Sequence, residues 1–200
     1  MTVIVKTKEQ IDLIRESCRH LATVLHKVKN MVAPGVSTYE LDCYAEKLIR
    51  EYGDVPAFLN YRPEGAKTPF PASLCVSIND EVVHGIPNKD RILKEGDTIS
   101  IDLGLKHKGF FSDMAMTVPV GRVDDASMKL LGVTEEALHV GIAECVAGNK
   151  TGDIGYAIER FVHSQKTKYG IVEVLSGHGV GVAIHEDPYI PNFGKKGTGV

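Results

Sequence analysis

Two aspartates, Asp102 and Asp113, lie in a segment whose sequence predicts a β-hairpin. Residues 98–104 alternate apolar and polar side chains, and residues 110–118 resume that alternation after Lys106-His107-Lys108-Gly109. A turn centred in the middle of this tetrapeptide would place the aspartates directly opposite each other, with the apolar residues on the other face: Ile101, Leu103, Met114 and Met116. Because opposed like charges destabilise a hairpin, the pair indicates a divalent cation between the carboxylates. The alternative is two solvated carboxylates on an exposed hairpin.

Three of the eight histidines stand in contexts that favour a role in a site. His84 precedes Gly-Ile-Pro, and His185 precedes Glu-Asp-Pro. His178 lies between two glycines, which would let the backbone approach a ligand closely. An imidazole together with two carboxylates makes a nitrogen and oxygen donor set that suits Mn²⁺, Fe²⁺, Co²⁺ or Zn²⁺.

The other five histidines are interpreted as structural or solvent-exposed. Four fall within predicted helices, where a surface position or a hydrogen-bonded core position is more common than a ligand position: His20, His26, His139 and His163. His107 lies at the predicted tip of the hairpin, and we expect it to be solvated.

The composition is that of an ordinary soluble globular protein. The chain has 200 residues, 43% hydrophobic and 24% charged, with a net charge of −3, and this length can enclose a sizeable core. The charges lack the basic run that nucleic-acid binding favours, and no apolar run is long enough for a signal peptide or a membrane span. The four cysteines lie at least 25 residues apart, which indicates reduced thiols in a cytoplasmic protein.

Four helices and two further strands are predicted around these residues. Two helices begin with a capping box, in which residues three apart each cap the other's backbone N–H: Thr7 with Gln10, and Ser37 with Glu40. The predicted helices are 8–30, 38–52, one from about 125, and 153–170, and the predicted strands are 73–78 and 171–176. The second and fourth helices belong to a faint internal repeat, which favours a duplicated α+β unit packed as one domain. The alternative is chance similarity between amphipathic helices.

Five motifs together resemble the type I methionine aminopeptidases, in order and with compatible spacing. They are Cys75-Val-Ser-Ile-Asn-Asp-Glu-Val-Val-His-Gly-Ile-Pro, Asp102-Leu-Gly, Phe111-Ser-Asp113, Ser176-Gly-His-Gly-Val-Gly and His185-Glu-Asp-Pro. The resemblance implies an α+β pita-bread fold, in which two pseudo-symmetric halves pack a curved antiparallel sheet covered by helices. Residues 1–200 would then form a single catalytic domain whose halves divide near residue 120.

The resemblance also implies a role for each motif residue. Two divalent metal ions (Co, Mn, Fe or Zn) would be held by Asp102, Asp113 and His178, with Asp113 bridging both. His84 and His185 would be catalytic and would contact the substrate, His185 at the scissile carbonyl oxygen and His84 at the departing amide nitrogen. A narrow apolar pocket for the methionine side chain would be lined by Phe58, Tyr61, Phe70 and Cys75. The alternative for these aromatic residues is ordinary core packing.

Two metal ligands of the family are missing from this sequence. They are glutamates further along the chain, and the sequence ends at Val200 before either position. Glu186 follows His185, but its position matches a glutamate of the family that is not a ligand. We therefore expect a C-terminally incomplete chain or else a protein that has lost part of its site. The resemblance implies weak metal binding and impaired catalysis for these 200 residues alone.

The implied activity is metal-dependent removal of the initiator methionine from nascent proteins whose second residue is small. The implied partners are peptide N-termini near the ribosome, without nucleic acid or membrane, and the chain would be a cytoplasmic monomer. One alternative is an X-Pro-type aminopeptidase or prolidase, which shares the fold but carries an extra N-terminal domain, whereas the first helix here begins near residue 8. Another is a non-catalytic binding protein with eroded ligands, against which the intact Asp102, Asp113 and His178 argue.

Overall fold

The computed structural model describes residues 3–63 and 65–200. Within these ranges the elements are α1 (Lys8–Lys29), α2 (Thr38–Glu51), β1 (Val55–Pro56), β2 (Leu74–Ile78), β3 (Thr98–His107), β4 (Phe110–Pro119), α3 (Asp125–Ala143), α4 (Thr151–His163), β5 (Ser176–Gly179) and β6 (Glu186–Pro191). They form two compact units. The first contains Lys6–Ser127 and Val180–Ile184, and the second contains Met128–Gly179 and His185–Val200 with residues 3–5.

The first unit is built around the long strand β3. Strands β1 and β2 pair with one edge of β3 and β4 pairs with the other edge, all antiparallel. Helices α1 and α2 pack against this sheet and share one apolar core with it, whose largest fully buried side chains include Leu21, Leu25, Leu41, Ile49, Ile99, Ile101, Leu103 and Leu105. Burial of this apolar surface is the main force that holds the sheet in place.

The predicted starts of the first three helices are confirmed. The Thr7 N–H donates to Gln10 Oε1 at 2.9 Å, and Thr7 Oγ1 accepts from the Gln10 N–H at 3.3 Å. The Ser37 and Glu40 pair makes the same reciprocal bonds at 2.8 and 3.2 Å. Helix α3 begins at Asp125. The first backbone N–H groups of every helix have no partner within the helix, and capping residues accept hydrogen bonds from them. The starts of the helices can therefore be predicted from the sequence.

The second unit contains α3, α4 and a two-stranded antiparallel sheet of β5 and β6. The predicted end of the fourth helix was wrong, because α4 ends at His163 and its last turn is closed by Ser164, whose hydroxyl donates to the Phe161 carbonyl at 2.7 Å. The predicted strand 171–176 was also wrong, since β5 begins only at Ser176. Val174 is 91% exposed, and in the described part of the chain no strand pairs with residues 171–175. An apolar run without a pairing partner does not form a strand.

None of the helices that the structure describes combines the length and the apolar character needed to cross a membrane.

Candidate metal centre and substrate pocket

Asp102 and Asp113 lie on one face of the β3–β4 hairpin, but they are not directly opposite each other. Asp102 pairs with Ala115, and Asp113 pairs with Gly104. The predicted pairing of the two aspartates was therefore wrong by two residues. The predicted face is confirmed, because a shift of two residues along a strand keeps every side chain on the same side.

The position of the turn explains this difference. The two central residues of the turn are Lys108 and Gly109, which have φ angles of 45° and 92°, and His107 pairs with Phe110. Positive φ at both central residues is typical of a type I′ turn, whose twist matches that of the flanking strands. The turn is thus centred one residue later than expected, which moves the partner of each β3 residue by two.

The diagonal arrangement still brings the two carboxyl groups together. Side chains on a diagonal between paired strands are within reach of each other, and the carboxyl groups of Asp102 and Asp113 form a hydrogen bond. Burial raises the pKa of Asp102, and the charge and hydrogen bond of Asp113 raise it further, to about 7. The pair therefore holds a proton near neutral pH, as two adjacent carboxyl groups do.

An apolar cluster adjoins the two aspartates. Cys75 pairs directly with Asp102 across β2 and β3 and is buried in a cluster of Ala57, Phe58, Cys75 and Ile184, against which Tyr61, Phe70, Phe111 and Val180 pack. All four residues predicted to line the methionine pocket are thus in one cluster. Burial, and then the charges of the two aspartates, raise the pKa of the Cys75 thiol, so it is an uncharged apolar group here.

Two further features of the first unit shape this cluster. A Cβ at Gly104 would lie 2.8 Å from Phe58 Cε1 and 3.1 Å from Ala57 Cβ, so the absence of a side chain leaves room for the cluster beside Asp113. The Phe111 N–H donates to the Gly181 carbonyl at 2.7 Å. This hydrogen bond holds the segment Val180–Ile184 against the hairpin. Sequence reasoning missed four members of the cluster, Ala57, Phe111, Val180 and Ile184, because an apolar residue type alone does not distinguish a pocket from a core.

His84 lies in the first unit beyond the end of β2, and its side chain is exposed. Its φ angle is 59°, a left-handed conformation that costs free energy for a residue with a side chain. The following Gly85 touches β2, since a Cβ there would lie 1.9 Å from the Val76 carbonyl oxygen, and the Val76 N–H donates to the Gly85 carbonyl at 2.8 Å. The backbone of His84 is therefore held beside the residue that follows Cys75.

His178 and His185 lie together in the second unit. Their ring centroids are 4.5 Å apart. His178 Nδ1 is 2.9 Å from the Gly179 carbonyl oxygen, and because a carbonyl only accepts, Nδ1 is the donor in this hydrogen bond. A hydrogen bond from one ring nitrogen to a backbone carbonyl is what orients an imidazole that binds a metal through its other nitrogen. Glu186, next to His185, is buried and pairs with Gly179.

The glycines on either side of His178 also have a packing role within the second unit. A Cβ at Gly177 would lie 3.2 Å from the Ile190 carbonyl oxygen, and one at Gly179 would lie 2.8 Å from the Asp187 carbonyl oxygen. Both positions face the backbone of β6. The close approach that requires glycine is therefore between two strands of the second unit.

The expectation for His107 was wrong, while three of the helical histidines are exposed as expected: His26, His139 and His163. His107 is 5% exposed, and its Nδ1 is 2.6 Å from Asp54 Oδ1. The later turn makes His107 the last residue of β3 instead of a turn residue. His20 contacts the same carboxylate, with its Nδ1 2.8 Å from Asp54 Oδ2.

Comparison with known proteins identifies the class to which this fold and these residues belong. Residues 12–199 match the model of metallopeptidase family M24, and the chain belongs to that family. Its members are metal-dependent, which agrees with a pair of adjacent, partly buried carboxyl groups on the hairpin.

Within the family, the chain is similar to the methionine aminopeptidases. It is 43% identical to the methionine aminopeptidase of Aquifex aeolicus, over 98% of this chain and 77% of that protein, and 42% identical to methionine aminopeptidase 1 of Bacillus subtilis, over 98% and 76%. The crystal structure of the methionine aminopeptidase from Rickettsia prowazekii superposes with a TM-score of 0.91 at 36% identity, over all of this chain and 77% of that chain. The chain thus spans about three quarters of the length of these relatives.

A more distant structure shares the fold. The X-Pro aminopeptidase from Thermotoga maritima superposes with a TM-score of 0.77 at 19% identity, over 94% of this chain and 49% of that chain. At that identity the likeness concerns the fold alone. With the methionine aminopeptidase structures, it confirms the predicted α+β pita-bread fold.

Proposed function

We propose that this protein removes the N-terminal methionine from peptides whose second residue is small, and that it requires divalent metal ions to do so. The observation that carries the proposal is the position of Asp102 and Asp113, which lie side by side next to the apolar cluster of Phe58 and Cys75. A metal-binding pair beside an apolar pocket can hold a peptide N-terminus with its methionine side chain enclosed.

The donor chemistry fits a divalent cation. The charged form of Asp102 is disfavoured by burial and by Asp113, and a cation between the two carboxylates removes both penalties. We assign Asp102, Asp113 and His178 Nε2 as ligands, with two ions bound as the family resemblance implies. When bound, such ions supply Lewis-acid chemistry towards a carbonyl group and lower the pKa of water.

The remaining assignments concern residues that contact the substrate. Phe58, Tyr61, Phe70 and Cys75 would enclose the methionine side chain, whose thioether makes favourable contacts with aromatic rings. His185 would donate a hydrogen bond to the scissile carbonyl oxygen, where a positioned donor contributes about 3 kcal/mol to transition-state stabilisation. His84 would contact the departing amide nitrogen and deliver a proton to it.

The proposal also includes the setting of the reaction. Residues 1–200 would form one catalytic domain, acting as a cytoplasmic monomer on the N-termini of nascent proteins near the ribosome. Three of the four cysteines are exposed free thiols: Cys18, Cys43 and Cys145. A reducing compartment preserves exposed thiols in this state, which supports the cytoplasmic assignment.

The test is release of methionine from Met-Ala-Ser and from Met-Arg-Ser by the protein supplied with Co²⁺, Mn²⁺, Fe²⁺ or Zn²⁺ in turn. We expect turnover of the first peptide and little of the second, because a closed cleft around a metal-bound scissile bond would leave room only for a small second residue. Equal turnover of both peptides would contradict the specificity. Hydrolysis of X-Pro dipeptides in place of Met-Ala-Ser would favour the prolidase alternative.

Two substitutions separate the roles of the histidines. His185→Ala should lower kcat/KM about a hundredfold while the bound metal per chain stays unchanged, because His185 is assigned to the substrate. His178→Ala should lose bound metal, because it removes the imidazole ligand. His139→Ala, at an exposed position on α3, serves as the control. If His185→Ala loses metal and His178→Ala keeps it, the two assignments are reversed.

A further inference from the structure

A loop carries His84 between strand β2 and the segment that leads to β3. Residues 79–91 of this loop form neither a helix nor a strand. The apolar side chains around His84 give it little packing support, because Val82, Val83 and Ile86 are all exposed. The His84 backbone nevertheless has a φ of 59°, which is unfavourable for a residue with a side chain. Polar contacts must therefore hold the loop in this conformation.

The guanidinium group of Arg91 closes the loop. Its Nη1 donates to the Ile86 carbonyl at 2.8 Å and to the Val76 carbonyl at 3.2 Å, and its Nη2 donates to Glu81 Oε2. A guanidinium group can make these contacts together because it carries five N–H donors in a fixed planar arrangement. One side chain thus joins both ends of the segment 82–85 to strand β2.

Glu81 and Arg91 together form a clamp on the loop. Glu81 Oε2 also accepts from the Ile78 N–H at 2.9 Å, and a Cβ at Gly85 would lie 3.1 Å from the same oxygen. On its other side Gly85 is held by β2, because its N–H donates to the Ser77 hydroxyl at 3.2 Å. Gly85, the residue that follows the histidine, is therefore confined between the clamp and the edge of the sheet.

The backbone of Arg91 is itself fixed by the fold. Its carbonyl accepts from the Thr38 N–H at 2.9 Å, at the start of α2, and Ile92 forms an antiparallel bridge with Ser37. Leu93 is buried in the core of the first unit. The clamp therefore connects a well-packed part of the first unit to a loop that has little packing of its own.

We propose that Arg91 and Glu81 are positioning residues, which hold His84 in place for proton delivery to the departing amide nitrogen. This inference rests on the proposed function, which assigns that role to His84. A proton donor acts only within hydrogen-bond reach of its acceptor, so a histidine on a loose loop would be in position for only part of the time. The clamp avoids this loss by restricting the backbone on both sides of His84.

The experiment compares Arg91→Gln with Lys94→Gln, which removes the same charge at an exposed position and should leave activity unchanged. Arg91→Gln should lower kcat for Met-Ala-Ser about tenfold and change KM less than about twofold, because proton delivery occurs in the transition state. The bound metal per chain should stay unchanged. In a His84→Ala background, Arg91→Gln should change kcat by less than about twofold. An equal loss in both backgrounds would overturn the proposal, since Arg91 would then act through the fold and not through His84.

The leaving group provides a measurement that a purely structural role would not change. In methionine p-nitroanilide the departing amine is much less basic than the amine released from a peptide, so its departure depends less on proton delivery. Arg91→Gln should therefore lower kcat for this substrate less than about threefold. A loss of about tenfold with both substrates would contradict a role in positioning His84.

Hydrogen exchange tests the clamp independently of activity. In Arg91→Gln the amides of Ile78 and Gly85 should exchange at least about tenfold faster, while the buried Ile101 on β3 should exchange at the rate of the parent chain. Unchanged exchange at Gly85 in a folded variant would overturn the proposal. If the parent chain releases no methionine, the proposed function fails, and exchange alone decides whether the clamp holds the loop.

A second variant covers the case in which Arg91→Gln does not fold. Glu81→Gln keeps the shape of an exposed side chain and removes its charge, which weakens its hydrogen bonds to Arg91 and Ile78. It should show the same pattern of exchange and kcat, with smaller effects. A folded Glu81→Gln chain with the exchange rates and kcat of the parent would also overturn the proposal.

Discussion

An aspartate has opposite electrostatic surroundings on the two faces of strand β3: Asp102 is partly buried and Asp54 is buried. On one face Asp102 meets the carboxyl group of Asp113, and the pKa of Asp102 rises to about 7. On the other face Asp54 meets the imidazoles of His20 and His107, at 2.8 and 2.6 Å. A buried charge is tolerated only where partners compensate it. The Asp54 carboxylate is compensated by the fold itself, whereas the aspartate pair depends on a ligand, which is the expected difference between a structural network and a reaction centre.

This comparison predicts that one kind of substitution, Asp→Asn, has different effects on the two faces. The largest effect is on activity at the aspartate pair. Asp113→Asn should lower kcat/KM about a hundredfold or more, because an amide replaces a proposed metal-bridging carboxylate. Steady-state hydrolysis of Met-Ala-Ser measures the effect, and Asp12→Asn, at an exposed position on α1, is the control. Near-normal activity of Asp113→Asn with normal metal content would remove this residue from the reaction centre.

The second effect is on stability at the imidazole-bound carboxylate. Asp54→Asn should lower the free energy of unfolding by about 3 kcal/mol, because an amide can accept at only one oxygen and its NH₂ group faces an imidazole N–H. Urea unfolding with a chelator present measures the change without any bound metal. A loss of less than about 1 kcal/mol, the range of an ordinary surface substitution, would mean that the two histidines do not depend on Asp54.

The third effect has the opposite sign. In the absence of metal, Asp102→Asn should raise the free energy of unfolding above pH 7 by about 2 kcal/mol, since it removes a partly buried charge beside Asp113. The pKa of Asp102 is about 7 in the folded chain, whereas an aspartate in an unfolded chain has a pKa of 3.8. Its contribution to stability is therefore full below pH 3.8 and is lost as the pH rises through 7.

Urea unfolding of the chelated protein across this pH range tests the sign. The stability difference between Asp102→Asn and the parent chain should grow as the pH rises from 4 to 8, and Asp12→Asn should show no such trend. A parent chain that becomes more stable relative to Asp102→Asn over this range would show that Asp102 is compensated by groups of the fold, as Asp54 is.

Local patterns in the sequence were enough to predict the parts of the molecule that depend on neighbouring residues. Alternation placed Asp102 and Asp113 on one face, and capping boxes placed the starts of α1 and α2. The burial of His107 was not predictable in this way, because its partner Asp54 is 53 residues away. The absence of a strand at residues 171–175 is likewise a matter of pairing, which an apolar run does not encode.

The register of the hairpin lies between these two cases. It depends on the local conformation of one residue, Lys108, and a lysine does not indicate that conformation in the sequence. Lys108 occupies the first central position of the turn at a φ of 45°, where asparagine or glycine is usual. Glycine at the next position, 109, makes the type I′ turn accessible, but a lysine before it gives no signal for positive φ. The predicted turn was therefore placed one residue too early, and the predicted pairing of Asp102 with Asp113 was wrong as a result.

The smallest predicted effect follows from this lysine. Lys108→Asn should raise the free energy of unfolding by about 1 kcal/mol or less, because asparagine tolerates a left-handed conformation that is unfavourable for lysine. The lost ion pair with Glu16 is exposed and offsets little of the gain. Lys106→Asn, two residues earlier on β3 and at a residue with extended conformation, is the matched control and should not be stabilising. Urea unfolding of both variants measures the difference. Lys108→Asn could instead be destabilised while Glu16→Gln keeps the stability of the parent chain. That result would mean that the left-handed conformation of residue 108 does not set the turn, and the explanation given for the register of the hairpin would be wrong.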